Sequence, residues 1–154
     1  MERMLRDVFA RFPTGVAVVT AEAEEGPVGV TISSFNAVSL EPRMAVFSLT
    51  RTLHSTPHFA AADGYAVSFL AADQGAISGR FARAGADKWT DTVLIDEAGA
   101  PLIAGATGYM RLSPHQLVEA GDHLMFLCWI NSFSLGERDD PLVFCGGRYH
   151  NLAA

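Results

Sequence analysis

Short runs of β-branched and aromatic residues, each closed by turn residues, follow one another along this chain without a regular alternation of helices. That spacing limits the fold most, because a parallel βαβ sheet needs a crossover, usually helical, between successive strands. Gly15 to Thr20, Val28 to Ser33, Ala45 to Leu49, Tyr65 to Leu70, Ala106 to Leu112 and His123 to Ile130 read as the main strands. Thr92 to Ile95, Leu117 to Ala120 and Leu142 to Phe144 read as short ones. Turns are expected at Glu22 to Pro27, around Glu41-Pro42, at Asp96 to Gly99 and at Gly121-Asp122. The pattern favours an antiparallel barrel with helices across its ends, whose closure removes exposed sheet edges.

Three helices fit between these strands. Leu5, Val8, Phe9 and Phe12 fall on one apolar stripe, ended by Pro13 and Gly15. Thr56 followed by Pro57 has the form of an N-cap with proline at the first helical position, and that helix runs to Ala62. Asp73 can cap a further short helix reaching about Phe81.

With 154 residues, 49% of them hydrophobic, residues 1–154 read as a single domain with one sizeable core. Seventeen acidic against eleven basic residues give a net charge of −6, the wrong sign for holding a nucleic-acid backbone. A charged fraction of 18% is low for a monomer's surface and points to apolar residues buried between subunits. The N-terminus does not read as a secretory signal, and the longest strongly apolar run, Leu124 to Ile130, is far too short to span a membrane. The expectation is a cytoplasmic, soluble protein. Cys128 and Cys145 lie in apolar surroundings outside any CxxC pair and read as buried free thiols.

Two polar groups stand out against this apolar background. Thr31-Ile32-Ser33-Ser34-Phe35-Asn36 places hydroxyls and an amide directly after a strand, where they serve either turn capping or a polar ligand. Ser48-Leu49-Thr50-Arg51-Thr52-Leu53-His54-Ser55-Thr56 combines a strand end, a fixed positive charge and a helix start. Such a segment can receive a phosphate without a Walker loop, and capping plus a surface arginine explains it equally well. Neither GxGxxG nor GxxxxGK occurs, which argues against a Rossmann fold. His54 and His58 lack a third metal ligand nearby, so no metal site is expected. His123 opens the most apolar strand; it either bonds a backbone carbonyl or, with Asp122 or a carbonyl setting its tautomer, orients a planar substrate. Arg80-Phe81 and Gly147-Arg148-Tyr149-His150 suit a nucleotide or ordinary surface packing.

Taken in order, Phe12-Pro13-Thr14-Gly15-Val16-Ala17-Val18-Val19-Thr20, Gly29 to Phe35, Val38 to Pro42, Ala71-Ala72-Asp73-Gln74, Phe81-Ala82 and Gly121-Asp122-His123 closely resemble the short-chain flavin reductase family. The resemblance runs from about residue 5 to residue 150. It implies a mainly β fold, an antiparallel Greek-key split β-barrel with short flanking helices. It also implies a homodimer that uses NADH or NADPH to reduce FMN or FAD and supplies a flavin-dependent monooxygenase. On that resemblance Thr31, Ser33, Ser34 and Asn36 line the ribityl and ring region, and Ser48, Leu49 and Thr50 border the isoalloxazine. Arg51 and Ser55 approach the phosphate, Phe81 helps enclose the flavin, and His123 belongs to the nicotinamide side, with Arg80 and Tyr149 as further cofactor contacts. The chain departs from the family pattern at Ser68-Phe69, where asparagine and valine are typical, and at Cys128, where glycine is common.

Overall fold

In the computed structural model, residues 1–85, 87–95 and 98–152 are described. Of the expected turn at Asp96 to Gly99, Asp96 and Glu97 lie outside them. Among the described residues, seven antiparallel strands form one sheet in the order β3-β2-β6-β9-β10-β5-β4. They are β2 (Ala17–Ala23), β3 (Gly26–Ile32), β4 (Asn36–Leu40), β5 (Arg43–Thr50), β6 (Tyr65–Phe69), β9 (Gly108–Ala120) and β10 (His123–Leu135). The sheet curls until the connection after β3 reaches β5, where Ser34 Oγ donates to the Ser48 carbonyl at 2.9 Å and accepts its N–H at 3.0 Å. The gap between β3 and β5 is thus crossed by a side-chain clasp instead of a strand ladder. This is the split barrel the sequence resemblance implies.

Alternation along these strands fills the barrel. Val19, Val30, Ile32, Phe47, Leu49, Tyr65, Val67, Leu112, Phe126 and Cys128 form one buried cluster. Phe47 and Phe126 stack at 4.7 Å between ring centroids, and Tyr65 meets both edge-on. The Tyr65 hydroxyl donates to the Phe59 carbonyl at 3.0 Å, which satisfies its buried polar tip and docks helix α2 (Thr56–Ala61) on the barrel. A second cluster, with Val16, Val18, Leu70, Phe81, Ile103 and Leu142, lies on the other face of β2. There α3 (Gly75–Ala82) covers β3, and Gly29 lets Phe81 come so close that a Cβ would fall 2.7 Å from its ring. Smaller sheets, β1-β11-β12 (Thr14–Gly15, Leu142–Cys145, Arg148–Asn151) and β7-β8 (Leu94–Ile95, Leu102–Ile103), pack alongside.

Several expected boundaries change for local physical reasons. The segments read as Ala106 to Leu112 and Leu117 to Ala120 are one continuous strand, because Pro114 is absorbed at a register shift against β10 instead of ending the ladder. Strand β10 runs on to Leu135 for the same pairing. The cap expected at Thr56 falls on Ser55; Thr56 Oγ1 instead donates back to the Thr50 carbonyl at 2.8 Å. Asp73 does not cap α3, which starts after Gln74; its carboxylate pairs with Arg138 at 2.5 Å. Helix α1 (Glu2–Phe9) forms, but its stripe touches no core of its own chain: Leu5, Val8, Phe9 and Phe12 are 54% to 76% exposed.

Both cysteines are free, Cys128 buried inside the barrel and Cys145 half-buried on β11. Burial pushes the Cys128 thiol up to about 12, so it stays protonated and shielded under ordinary conditions. A maleimide reagent at about pH 8 is expected to modify only Cys145 in the native protein and both thiols after denaturation. Mass spectrometry of native and unfolded samples checks this, and rapid native labelling of Cys128 contradicts the packing.

Candidate active site

The pairing of β5 with β10 builds the first part of the site. Their register sets Phe47 opposite Phe126 and Leu49 opposite Leu124, on the face that packs inward. By alternation Ser48, Thr50, His123 and Met125 share the other face, with Thr50 directly opposite His123 and Ser48 opposite Met125. The turn between β9 and β10 uses Gly121 at φ +63, a left-handed position that suits glycine. That turn is stitched to the end of β5. The Asp122 carbonyl accepts the Arg51 N–H at 2.9 Å and the Thr50 hydroxyl at 3.4 Å.

His123 Nδ1 lies 2.8 Å from Asp122 Oδ1. With Nδ1–H donating to the carboxylate, Nε2 is the ring nitrogen left to meet a ligand. The same bond holds the Asp122 carboxyl below the usual carboxylate range. Arg51 is half-exposed, and its guanidinium lies 3.6 Å from the Glu119 carboxylate. Thr50 and Thr52 hydroxyls are 3.2 Å apart beside it.

The remaining candidates divide between ligand-accessible and structural positions. Ser33 and Asn36 are exposed, and among the described residues their side chains make no hydrogen bond. Thr31 Oγ1 is committed to the Ser78 carbonyl at 2.6 Å, and the Tyr149 hydroxyl meets Ser78 Oγ at 2.7 Å, so Thr31 and Tyr149 meet α3 at one residue. Leu49 is buried, so its side chain belongs to the core and not to a ligand surface. Phe81 is fully buried and packs edge-on against Trp89 at 5.2 Å. Arg80 donates to the Thr90 carbonyl and to Thr92 Oγ1 at 2.7 and 2.8 Å, fixing the loop after α3. The family departures are also taken up by the core: Ser68 Oγ accepts the Ile103 N–H at 2.9 Å, Phe69 meets Phe35 edge-on, and Cys128 points into the barrel.

Ser55 opens onto a cleft of about 520 Å³ whose walls include Gly29, Leu53, His54, Lys88 and Trp89. Lys88 reads in sequence as one more surface lysine in a polar loop. In the fold its ammonium donates to the Gly29 and Phe81 carbonyls at 2.9 and 3.1 Å, and burial lowers its pKa. A neighbouring tryptophan was the one sequence signal for that burial. A second crevice of about 380 Å³, lined by Val16, Ile32, Phe35, Phe69 and Leu142 among others, is nearly all apolar and has no cation for a phosphate.

Among the described residues no cluster of metal-ligating side chains occurs, and no helix is long and apolar enough to cross a membrane. Outside the core, the chain offers the unbonded Ser33 and Asn36 side chains, the half-exposed Arg51 guanidinium and His123 across the strand pair from Thr50. These suit a phosphorylated, planar, hydrogen-bonding ligand better than an apolar one.

Comparison with known proteins agrees with this chemistry. A protein of Streptomyces coelicolor named actinorhodin polyketide dimerase is 39% identical over 153 residues, covering 98% of this chain and 86% of its own. The solved NADH:FAD oxidoreductase of Streptomyces globisporus, in complex with NAD and FAD fragments, superposes with a TM-score of 0.93 at 34% identity, covering 99% of this chain and 93% of that one. The flavin reductase component of a bacterial two-component tryptophan halogenase superposes with a TM-score of 0.92 at 29% identity, covering all of this chain and 99% of that one. Residues 9–153 match the flavin reductase like domain, and the chain belongs to that family.

Proposed function

We propose that this protein is a cytoplasmic NAD(P)H:flavin oxidoreductase that moves hydride from NADH or NADPH to FMN or FAD and supplies reduced flavin to a separate monooxygenase. The observation that carries the reading is the shared outward row, in which Thr50 on the acceptor side and His123 on the donor side are direct cross-strand neighbours. The halogenase reductase component among the similar structures supports a partner oxygenase. A bound flavin supplies the hydride-accepting ring, which no side chain can replace.

The chain's own part is placement. Ser33 and Asn36 offer their free polar groups to the ring and ribityl chain, beside Thr31 and the Ser34–Ser48 clasp. Ser48, Thr50 and the Leu49 backbone border the ring, while Arg51 and Ser55 hold the phosphate. Arg80, Phe81 and Tyr149 keep α3 and its loop against β3, so they shape the wall of the cleft. His123, held by Asp122, positions the nicotinamide carboxamide through Nε2; no general-acid role is assigned to it. A second reading is a flavin held tightly and used on another substrate; a relative named for dimerising a polyketide, and not for reducing flavin, favours it. Such a protein shows little turnover of added free flavin.

The working unit proposed is a homodimer, supported by the exposed apolar stripe of α1 and by Leu40, Phe133 and Leu135 on the barrel surface. Sedimentation over a range of concentrations is expected to give twice the 16.5 kDa chain mass, and a persistent monomer with full flavin affinity removes the shared-interface part of the reading. His123→Ala is expected to slow hydride transfer about three- to tenfold at saturating donor, the worth of one hydrogen bond made in the reactive complex, with FMN affinity retained. Stopped-flow flavin reduction checks it. Unchanged rate and donor affinity in a folded, flavin-loaded variant leave His123 as a strand-end residue only.

A further inference from the structure

We propose that Glu119 is an internal rival of the flavin phosphate for Arg51, and that this rivalry speeds release of the flavin. The inference rests on the phosphate role proposed above for Arg51. Glu119 lies at the end of β9, in one row with Leu124 of β10 and Leu49 of β5. Arg51 follows β5 by one residue and is tied by its N–H to the Asp122 carbonyl of the β9–β10 turn. Two backbone anchors therefore bring the pair together, and the guanidinium stands 3.6 Å from the carboxylate.

A guanidinium turned toward a carboxylate must turn away, or share its N–H donors, when a phosphate arrives. The phosphate carries more charge and accepts more bonds, so it wins the contact. The displaced carboxylate stays on the same strand end and adds a negative charge beside the bound phosphate. When the phosphate leaves, Glu119 takes the guanidinium again. Both side chains are half or more exposed, at 51% and 74%, so solvent keeps the effect small: enough to speed release, too little to prevent binding. A reductase that hands its product to another protein needs that balance, whereas a protein with a prosthetic flavin does not.

Equilibrium and stopped-flow titrations of the full chain with FMN and with riboflavin test the idea in Glu119→Gln, Arg51→Ala and the double variant. Glu119→Gln is expected to lower the FMN dissociation constant about two- to fivefold, the range an exposed ion pair is worth, mainly through slower dissociation. Riboflavin, which lacks the phosphate, should bind unchanged, and the gain should shrink in the Arg51→Ala background to what direct repulsion of the phosphate leaves; an equal gain in both backgrounds overturns the rivalry. Glu119→Lys keeps the position occupied and should tighten FMN further, which separates charge from shape. If Arg51→Ala weakens FMN selectively but Glu119→Gln and Glu119→Lys change nothing, the rivalry is wrong and the phosphate role stands. If Arg51→Ala affects FMN and riboflavin alike, the phosphate role and the rivalry both fall.

Discussion

The antiparallel register between β5 and β10 decides which residues of this barrel can meet a ligand. Phe47 stacked on Phe126, with Leu49 beside Leu124, commits one face of both strands to the core. A slip of one residue would bury Ser48, Thr50 and His123 and expose the aromatic pair. The stacked rings therefore hold the polar row outward, and packing inside the barrel is what keeps hydroxyl and imidazole groups available outside it.

The same hairpin links the two halves of the site. Its turn carries His123 and Asp122, and its backbone is bonded to Thr50 and Arg51. Glu119 sits just before that turn and Arg51 just across from it. Groups assigned to the donor, the flavin ring and the phosphate thus meet where the end of β5 is bonded to the β9–β10 turn. Lys88, which lines the cleft beside Ser55, and Arg80 spend their charges on carbonyl groups of β3, α3 and the following loop.

Alternation made β5 and the first part of β10 legible, while β2 and β6, buried on both faces, showed as continuous β-branched and apolar runs. β4 was not legible, because Asn36–Leu40 is an edge strand with little burial and carries no apolar alternation. The stretch from Leu112 to Leu117 was not legible as strand, because the bulge that accommodates Pro114 depends on the partner strand. Arg148–Asn151 read as a terminal segment for the same reason: it is exposed throughout and owes its strand to pairing with β11. At the site, local segments were visible as polar clusters, and family resemblance ordered them. The facing of Thr50 and His123, the burial of Phe81 behind Gly29 and the Glu119–Arg51 pair all arise from contacts between distant residues, which no local pattern encodes.

The central claim is direct hydride transfer in this cleft, from a reduced nicotinamide to a flavin that comes and goes. Anaerobic mixing of the purified protein with excess FMN or FAD and NADH, with the transferable hydrogen at nicotinamide C4 replaced by deuterium in a parallel sample, tests it most directly. The account predicts loss of the oxidised flavin absorbance over many turnovers, matched mole for mole by NADH oxidation and slower with the deuterated donor. Free flavin that stays oxidised with NADH and with NADPH, beyond any single equivalent bound to the protein, would contradict it.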